Sequence, residues 1–422
     1  MTAAPTRRRF LRRAVGAAAA ASAFPRPLRA LGAMPRVVVI GGGFAGATAA
    51  RLLKTVGLDV TLVEVNEVFA ACPHSNAVIA GLRDMDAQRF GYGRIAAAGI
   101  GVVHQAATAV DGHARTVTLA DGTRLPFDRL VIAPGSEPRF DALPGYDEAA
   151  AQVMPHAWQA GAQTVLLRRQ LEAMADGGTV VMALPPLPYR CPPASYERAS
   201  LIAWYLKTRR PRSKLIVLDA KDSFSMQPQF QEAWKALYPN LEWLPPSSGG
   251  NPTAVDAGAM TVSSDFETYK AAVANVVPPQ RAGRIAVVAG VADRTGWCPV
   301  DAPTSESRLV PGIHVLGDAA IAGAVPKSAY AAHELAMICA QAIAAVLLDK
   351  APSRPTFANT CYSLAAPDWD FSLTGTYEPV NGQWEAKGAG FVSPVGLPPA
   401  MRREEADAGR RWFDNITSGV FG

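Results

Sequence analysis

Five cysteines are the residues in this sequence best suited to redox or nucleophilic chemistry. None of them forms a Cys-x-x-Cys pair or stands beside a histidine at metal-ligand spacing. The sequence therefore predicts neither a metal site nor an attached c-type haem, and an odd number leaves at least one cysteine outside any disulfide. The five are Cys72, Cys191, Cys298, Cys339 and Cys361.

Cys191 stands where a nucleotide-binding loop would otherwise be. Residues 178–218 read as a βαβ unit, with GGTVVMALPP as its first strand and SYERASLIAWYLKTR as its helix. The segment between them, LPPLPYRCPPAS, has no glycine, and proline lacks the N–H that would bind a phosphate. NAD binding of the usual kind is not expected here. Because Cys191 precedes a helix N-terminus, we expect a lowered thiol pKa, and Glu197 is a candidate for proton transfer.

A glycine turn near the N-terminus predicts a dinucleotide site. Gly41, Gly43 and Gly46 match G-x-G-x-x-G between the strand PRVVVIG and an alanine-rich helix. The next strand ends at Glu64, 23 residues after Gly41. The glycines allow the backbone to approach a pyrophosphate, and the carboxylate can accept hydrogen bonds from a ribose.

Two later segments favour FAD over NAD. LPFDRLVIAPGSEP and GIHVLGDAA resemble the strand-and-glycine segments of two-dinucleotide flavoproteins, and in the second of these Asp318 is expected near the ribityl chain and pyrophosphate. The helix that follows would direct its N-terminus at the pyrimidine edge of the flavin, where its dipole stabilises negative charge. Lys327 would add a full charge at that end, or it is simply a solvated lysine.

The positive charge of the chain is concentrated at its N-terminus. Residues 1–33 contain seven arginines and no acid; without them 34 basic residues face 36 acidic ones, a net charge of −2. This balance gives no support for a nucleic-acid partner. The segment TRRRFLRRAVGAAAAASAF fits a twin-arginine export signal, so we expect a periplasmic protein. Its alanine run is short and no later stretch is expected to span a bilayer, so no stable membrane insertion is expected.

Longer strings carry a more specific resemblance. YRCPPASYERA, GWCPVDAPTSES, HVLGDAAIAGAVPKSAYAAHE and NTCYSLAAPDW are similar to the flavoprotein subunit of flavocytochrome c sulfide dehydrogenase, and the similarity covers nearly the whole chain after the leader. The resemblance implies a redox-active disulfide between Cys191 and Cys361 and a covalent thioether from Cys72 to the 8α-methyl of FAD. It also implies sulfide as substrate and a c-type cytochrome subunit as partner. The alternatives are a merely structural disulfide and non-covalent FAD beside Cys72.

The elements that position these residues predict an α/β protein. We expect two Rossmann-like FAD/NAD(P)-binding domains of the disulfide-reductase type, with a small β-meander inserted in the first, and a C-terminal α+β interface domain. The predicted division is a signal peptide (1–33), an FAD-binding domain (34–150 and 281–350), a second Rossmann-like domain without its NAD loop (151–280) and a flavin/cytochrome interface domain (351–422).

The sequence predicts the roles of the remaining cysteines and of three tryptophans less specifically. Cys298 and Cys339 are expected to be structural, the latter as a small buried residue inside an apolar helix. Trp369, Trp384 and Trp412 are candidates for flavin packing or cytochrome contact, with ordinary core residues as the alternative.

Three functions share these motifs. The first is a periplasmic sulfide dehydrogenase that passes electrons from hydrosulfide through the disulfide and FAD to a c-type cytochrome. The second is a sulfide:quinone oxidoreductase, which would need an apolar quinone channel and membrane contact. The third is an accessory flavoprotein of a thiosulfate-oxidising complex, without main turnover of its own.

Overall fold

The computed structural model of the protein describes residues 34–348 and 355–422. The expected export signal, residues 1–33, lies outside the described residues, as does the segment 349–354. Residues 35–422 group into one compact unit, and its larger sheets carry the residues singled out above.

The first part of the described chain forms a parallel sheet and a small antiparallel one. β1 pairs in parallel with β2 and β9, and β2 with β5, while β6, β7 and β8 form the expected meander. The core strands are valine- and isoleucine-rich because both faces of the sheet are covered, one by helices and the other largely by the meander. The elements are β1 (Arg36–Ile40), α1 (Phe44–Thr55), β2 (Asp59–Val63), β3 (Val68–Ala70), α2 (Ser75–Ile79), β4 (Arg89–Gly91), α3 (Gly93–Ala97), β5 (Gly101–Val103), β6 (Ala107–Asp111), β7 (Thr116–Leu119), β8 (Arg124–Pro126), β9 (Arg129–Ile132) and β10 (Ser136–Pro138).

The middle of the chain builds a second parallel sheet in the order β13-β12-β11-β17. The predicted βαβ unit is present as β11, α5 and β12, with the proline-rich segment joining β11 to α5. The elements are α4 (Ala162–Ala173), β11 (Thr179–Leu184), α5 (Pro193–Arg209), β12 (Lys214–Asp219), α6 (Gln227–Leu237), β13 (Leu241–Leu244), β14 (Ala254–Asp256), β15 (Thr261–Ser263), β16 (Thr268–Lys270) and β17 (Val273–Val276).

The chain then returns to the first sheet. β20 pairs in parallel with β9 and completes the order β20-β9-β1-β2-β5. The elements of this return are β18 (Gln280–Ala282), α7 (Ile285–Val288), β19 (Cys298–Pro299), β20 (Ile313–Val315), β21 (Ala320–Ile321) and α8 (Ala329–Leu347).

The last part is an antiparallel sheet covered by a long helix. β23 pairs with β22, β24 and β25, and α9 packs against β22 and β23. The elements are β22 (Phe357–Ala366), β23 (Trp369–Val380), β24 (Gln383–Ala386), β25 (Phe391–Val392) and α9 (Pro399–Phe421).

One helix corrects an expectation about membrane-spanning length. By length and composition alone, α8 is able to cross a bilayer, with a mean hydropathy of 1.5 over its most apolar window. Its apolar residues, among them Leu335, Cys339 and Ile343, are buried in the core that α8 shares with α1. A core helix between two layers of a folded domain has this same composition because both of its sides are covered.

Candidate active site

A cavity of about 740 Å³ lies where the two nucleotide-type sheets and the C-terminal sheet meet. This volume is within the range of cofactor and ligand sites. The cavity wall begins at the glycine turn after β1, passes the first residues of α5 and α8, and reaches β22 and α9. Helix N-termini carry partial positive charge, so this arrangement favours ligands with negative charge.

The glycine turn forms one end of the cavity. Gly41 has φ +98°, and a Cβ added there would lie 2.2 Å from the carbonyl oxygen of Ala133. A Cβ at Gly46 would lie 1.8 Å from the carbonyl oxygen of Gly41, so α1 can approach the turn only with glycine at this position. Gly41 and Gly43 line the cavity, while Gly46 supports the turn from within α1.

Glu64 also lies on the cavity wall, just after β2. Its Oε2 accepts a hydrogen bond from the Gly42 amide at 2.7 Å, and its Oε1 accepts one from the Asn66 amide at 2.8 Å. The carboxylate is therefore fixed against the glycine turn. It retains further acceptor capacity for the ribose hydroxyls expected from the sequence.

The second FAD segment brings Asp318 to the wall but not Lys327. Burial raises the pKa of the Asp318 carboxyl, and the charges of Arg190 and Lys327 lower it. The Lys327 ammonium donates to the carbonyl oxygens of Asp318 and Ala320, both at 2.7 Å, and lies 4.1 Å from the centre of the Trp297 ring. Because of these contacts the Lys327 ammonium does not line the cavity. Burial lowers the pKa of Lys327 to about 8.

Cys191 and Cys361 line the same cavity although 170 residues separate them. Cys191 precedes α5 in a left-handed conformation, with φ +47°, and its amide donates to the carbonyl of Lys327 at 2.9 Å. Cys361 lies on β22, where its sulfur accepts a hydrogen bond from Asn359 Nδ2 at 3.4 Å. Both residues are free thiols in the structure.

The expectation of a lowered thiol pKa at Cys191 was wrong. Burial raises the pKa of Cys191, Cys361 and Glu197 raise it further, and Arg190 opposes the rise. The α5 N-terminus offers little compensation. The two prolines that follow Cys191 have no N–H, and the Ala194 amide, which lowers the pKa of Cys191 only weakly, also donates to the Cys191 carbonyl at 2.9 Å.

Glu197 faces the cavity one turn into α5. Its Oε1 accepts a hydrogen bond from Asn76 Nδ2 at 2.8 Å, and its Oε2 accepts one from the Leu364 amide at 3.1 Å. Burial raises the pKa of Glu197 to about 7, partly offset by these two bonds and by Arg198. A carboxyl with this pKa can both take and release protons near neutral pH.

Cys72 lies on the cavity wall just before α2. Its sulfur is 3.9 Å from the carbonyl oxygen of Trp158, which is its only hydrogen-bond contact among the described residues. His74, two residues on, adopts a left-handed conformation that begins α2, and its ring packs edge-on against Phe413. Cys72 is thus placed on the same cavity as Cys191.

Three residues of this cavity were not predicted from the sequence. Arg190 is adjacent to Cys191, Asn76 hydrogen-bonds Glu197, and Asp370 of β23 lies beside Glu197. The position of Arg190 next to Cys191 was a usable signal. Asp370 had none, because its place depends on the pairing of β22 with β23.

The remaining sequence candidates divide between cavity and core. Trp412 lines the cavity and stacks on Tyr330 at 5.9 Å, whereas Trp384 is 1% exposed and packs against Phe357. Trp369 also lies away from the cavity and packs beside the second core. Cys298 and Cys339, which were expected to have structural roles, are both fully buried.

The cavity residues fit a flavin dinucleotide. The wall combines a glycine turn into which no Cβ fits, an adjacent carboxylate and the N-terminus of α1 with Asp318 and the first residues of α8. Within residues 34–348 and 355–422, no group of three or more histidine, cysteine or acidic side chains is arranged to hold a metal ion.

Three family models match successive parts of the chain. Residues 35–169 match "Pyridine nucleotide-disulphide oxidoreductase", residues 164–278 match "Sulfide dehydrogenase (flavocytochrome c) flavoprotein chain, central", and residues 353–421 match "Flavocytochrome c sulphide dehydrogenase, flavin-binding". A sulfide dehydrogenase flavoprotein chain of Chlorobaculum thiosulfatiphilum is 53% identical over 45 residues, which cover 94% of that sequence and 10% of this chain. The chain belongs to the flavocytochrome c sulfide dehydrogenase flavoprotein family.

Other relatives share the first nucleotide unit or the fold. An NADH dehydrogenase-like protein of Mycobacterium tuberculosis is 36% identical over 149 residues, 34% of this chain and 36% of that protein. The match thus spans about a third of this relative's length. The sulfide:quinone oxidoreductase structure from Aquifex aeolicus has a TM-score of 0.73 at 18% identity, covering 91% of this chain and 92% of that one.

A putidaredoxin reductase in complex with putidaredoxin also shares the fold, with a TM-score of 0.65 at 18% identity, covering 88% of this chain and 93% of that one. These likenesses confirm the predicted two-dinucleotide flavoprotein fold. The flavin-binding family model supports FAD as the cofactor of this flavoprotein.

Proposed function

We propose that this flavoprotein oxidises hydrosulfide through a redox couple formed by Cys191 and Cys361, and that its electrons pass through FAD to a c-type cytochrome subunit. The observation that carries the proposal is that both cysteines line the flavin-type cavity, Cys361 from β22 and Cys191 from a loop that cannot hold a nicotinamide nucleotide in the usual way. Family membership supports both the substrate and the cytochrome partner.

The sulfur chemistry starts from the disulfide form of the couple. Hydrosulfide attacks one of the two sulfurs, the S–S bond breaks, and one cysteine becomes a persulfide while the other leaves as a thiolate. A second hydrosulfide then removes the sulfane sulfur as hydrodisulfide and leaves a thiol. Closing the disulfide again releases two electrons and one proton. The sum is two hydrosulfide ions converted to one hydrodisulfide ion, one proton and two electrons.

The residues around the couple supply protons and position. Glu197 takes the proton released when the disulfide closes, because its carboxyl lies on the same wall with a pKa of about 7. Asn76 orients that carboxyl by a hydrogen bond. A flavin held in this cavity would supply a two-electron acceptor that can pass electrons on one at a time, as a haem acceptor requires.

The proposal is tested by removing each cysteine of the couple. Cys191→Ser and Cys361→Ser should each lower the rate of sulfide-dependent flavin bleaching by about 1,000-fold or more, because no disulfide remains to accept the electrons. Stopped-flow absorbance measures the rate. Cys339→Ala removes a thiol outside the cavity and should bleach at nearly the wild-type rate. Bleaching at the wild-type rate in Cys191→Ser would refute the mechanism.

Cys72 is proposed as the covalent attachment point of FAD because its sulfur lies on the cavity wall. In-gel flavin fluorescence after denaturation should be present in the wild type and absent in Cys72→Ala, with the 8α-linked flavin found on the Cys72 peptide by mass spectrometry. Flavin fluorescence that stays with denatured Cys72→Ala would place the linkage elsewhere.

A sulfide:quinone oxidoreductase is the second candidate, favoured by exposed apolar residues near the start of α9. Phe391 and Val395 are each 53% exposed and Met401 is 46% exposed. The two functions differ in their electron acceptor. The cytochrome function predicts sulfide-dependent reduction of a co-purified c-type haem; reduction of a quinone analogue in detergent, with no haem partner, favours the second. An accessory role predicts that sulfide sustains rapid reduction of neither the cytochrome nor the quinone.

Export by the twin-arginine pathway is proposed from residues 6–11 of the sequence. Cell fractionation should find the flavoprotein in the periplasmic fraction, and replacement of Arg7 and Arg8 by lysine should retain it in the cytoplasm. Unchanged localisation of that variant would contradict the proposal.

A further inference from the structure

Two arginines line the cavity close to Cys191, and their bonding differs. Arg198 on α5 is bonded to protein acceptors on every side: its Nε donates to Asn76 at 2.9 Å, its Nη1 to the His156 carbonyl at 2.7 Å and its Nη2 to the Ala157 carbonyl at 2.5 Å. Its guanidinium also lies over the ring of Trp158 at 4.7 Å. Arg198 is therefore a structural cation with all its donor groups engaged.

Arg190 is held only by its backbone. Its amide donates to Gln280 Oε1 and its carbonyl accepts from the Trp158 indole, each at 3.1 Å. Among the described residues, its guanidinium makes no hydrogen bond and no ion pair, although Arg190 is half-buried on the cavity wall. A guanidinium carries five N–H donors, and here no acceptor from the described part of the chain occupies them at the cavity wall. With respect to these residues, the Arg190 guanidinium thus has free hydrogen-bond donors on the cavity wall.

The neighbouring charges show which ligand chemistry suits this position. Burial lowers the pKa of Arg190, but Cys72, Asp318 and Cys191 raise it by more, so the guanidinium stays charged. Arg190 in turn lowers the pKa of Cys191. The charge therefore acts on the sulfur of the adjacent residue, where the proposed reaction both consumes and forms anions.

We propose that Arg190 is an anion-binding residue that holds hydrosulfide beside Cys191 and then stabilises the sulfur anion formed there. The inference rests on the proposed function, because it names the residue that receives the anionic substrate of that same site. The Arg190 amide and carbonyl are both hydrogen-bonded, and the Cys191 amide is bonded to the Lys327 carbonyl. These bonds fix the backbone of both residues and so limit the movement of the guanidinium relative to the sulfur. A guanidinium suits this task because its donors are preorganised and its charge persists at all relevant pH values.

The negative charge of a bound flavin is the other source of an anion for Arg190. The two sources predict different losses. If Arg190 binds hydrosulfide, its removal weakens sulfide binding and leaves flavin content unchanged. If it binds the flavin, its removal lowers flavin content and leaves the sulfide dependence of the loaded fraction unchanged.

The first experiment measures flavin bleaching against sulfide concentration. Arg190→Gln should raise the half-saturating sulfide concentration about 10- to 100-fold, as expected for loss of a charged hydrogen bond, and Arg190→Lys should recover part of this loss. Arg212→Gln is the matched control, because Arg212 is 77% exposed and pairs with Asp176 on the surface. An unchanged sulfide dependence in Arg190→Gln overturns the inference, whether or not flavin content falls.

The second experiment does not require sulfide turnover. It follows alkylation of Cys191 in the Cys361→Ser background by peptide mass spectrometry, with iodoacetamide as the probe. Arg190→Gln should slow alkylation about tenfold near pH 8, because the thiolate loses a neighbouring cation. Cys361 is absent, so the charged groups that still face Cys191 are Arg190 and Glu197. Equal alkylation rates with and without Arg190→Gln overturn the inference. If sulfide fails to bleach the flavin of the wild type, only the proposed function is overturned.

Discussion

At the residue scale, two carboxyl groups share one short stretch of β22. The Ser363 amide donates to Asp370 Oδ1 at 2.7 Å, and the next amide, that of Leu364, donates to Glu197 Oε2 at 3.1 Å. Burial raises the pKa of both groups, and Glu197 contributes to the rise at Asp370. Two buried acids held this close do not both ionise readily, so we expect Glu197 and Asp370 to retain a proton between them near neutral pH.

The pH dependence of stability tests the state of Glu197. Because its pKa is raised from 4.5 to about 7, the protonated carboxyl stabilises the fold, fully below pH 4.5, and this contribution is lost as the pH rises through 7. Glu197→Gln cannot titrate. The stability advantage of the wild type over this variant should therefore shrink by roughly 2 kcal/mol between the two ends of that range. Urea unfolding at several pH values measures it.

A matched acid on the surface provides the control for this titration. Glu172 is 49% exposed and pairs with Arg168 on α4. The stability difference between the wild type and Glu172→Gln should change by less than about 0.5 kcal/mol over the same pH range. A pH-independent difference for Glu197→Gln would show that the folded protein does not hold this carboxyl protonated.

At the element scale, the loop from β11 to α5 decides which cofactors the second unit accepts. A nucleotide-binding loop offers free amides at a helix N-terminus. Here the residues at positions 192 and 193 are prolines, and the amides of Ala194 and Ser195 donate to the carbonyls of Cys191 and Pro192. The start of α5 therefore has no amide left for a phosphate among its first positions.

This loop predicts that NADH does not reduce the protein. Anaerobic stopped-flow mixing with millimolar NADH should leave the flavin spectrum unchanged over minutes, whereas sulfide bleaches it. NADPH serves as a second nucleotide with the same expected result. Rapid bleaching by either nucleotide would mean that the second unit binds phosphate through groups other than the α5 amides.

Most elements were predictable because their local signals agree with their final environment. The strand, glycine turn and helix at residues 36–55 carry the periodicity and turn chemistry of their final structure, and so do β11 and α5. Local sequence was less informative about charge. The helix N-terminus beside Cys191 suggested a thiolate, but burial of the thiol outweighs a helix end capped by prolines.

The position of Lys327 shows a similar limit. Sequence order places it at the start of α8, yet the direction of its side chain depends on two carbonyl groups and a ring that the fold brings together. The roles of Arg190 and Asp370 also depend on tertiary contacts, so their spacing in the sequence does not predict these roles. The sequence therefore identified many of the cavity residues, whereas packing determines the side-chain directions and the pKa values.

At the scale of the whole molecule, the end of α9 joins the C-terminal sheet to the first nucleotide unit. Phe421 is 5% exposed, and its ring lies 5.0 Å from that of Phe69 and 5.4 Å from that of Phe90, both in stacked arrangements. Phe69 also lines the cavity. Packing at the end of α9 thus supports the wall against which the cofactor binds.

Phe421→Ala should lower the free energy of unfolding by about 3 kcal/mol, because it empties a buried aromatic site. Chemical denaturation followed by tryptophan fluorescence measures the change. Phe266→Ala is the matched control, since Phe266 is 83% exposed, and it should change stability by less than about 0.5 kcal/mol. Equal stabilities of the two variants would show that α9 is not anchored at this end.

The hydrogen bond from the Cys191 amide to the Lys327 carbonyl has a mechanical consequence. It ties the loop of the second unit to the residue that leads into α8, which belongs to the first unit. A hinge motion between the two units would have to break this bond before it could carry the sulfur away. We therefore expect the proposed turnover to proceed without domain closure, with the Cys191 sulfur held in place relative to the first unit between cycles.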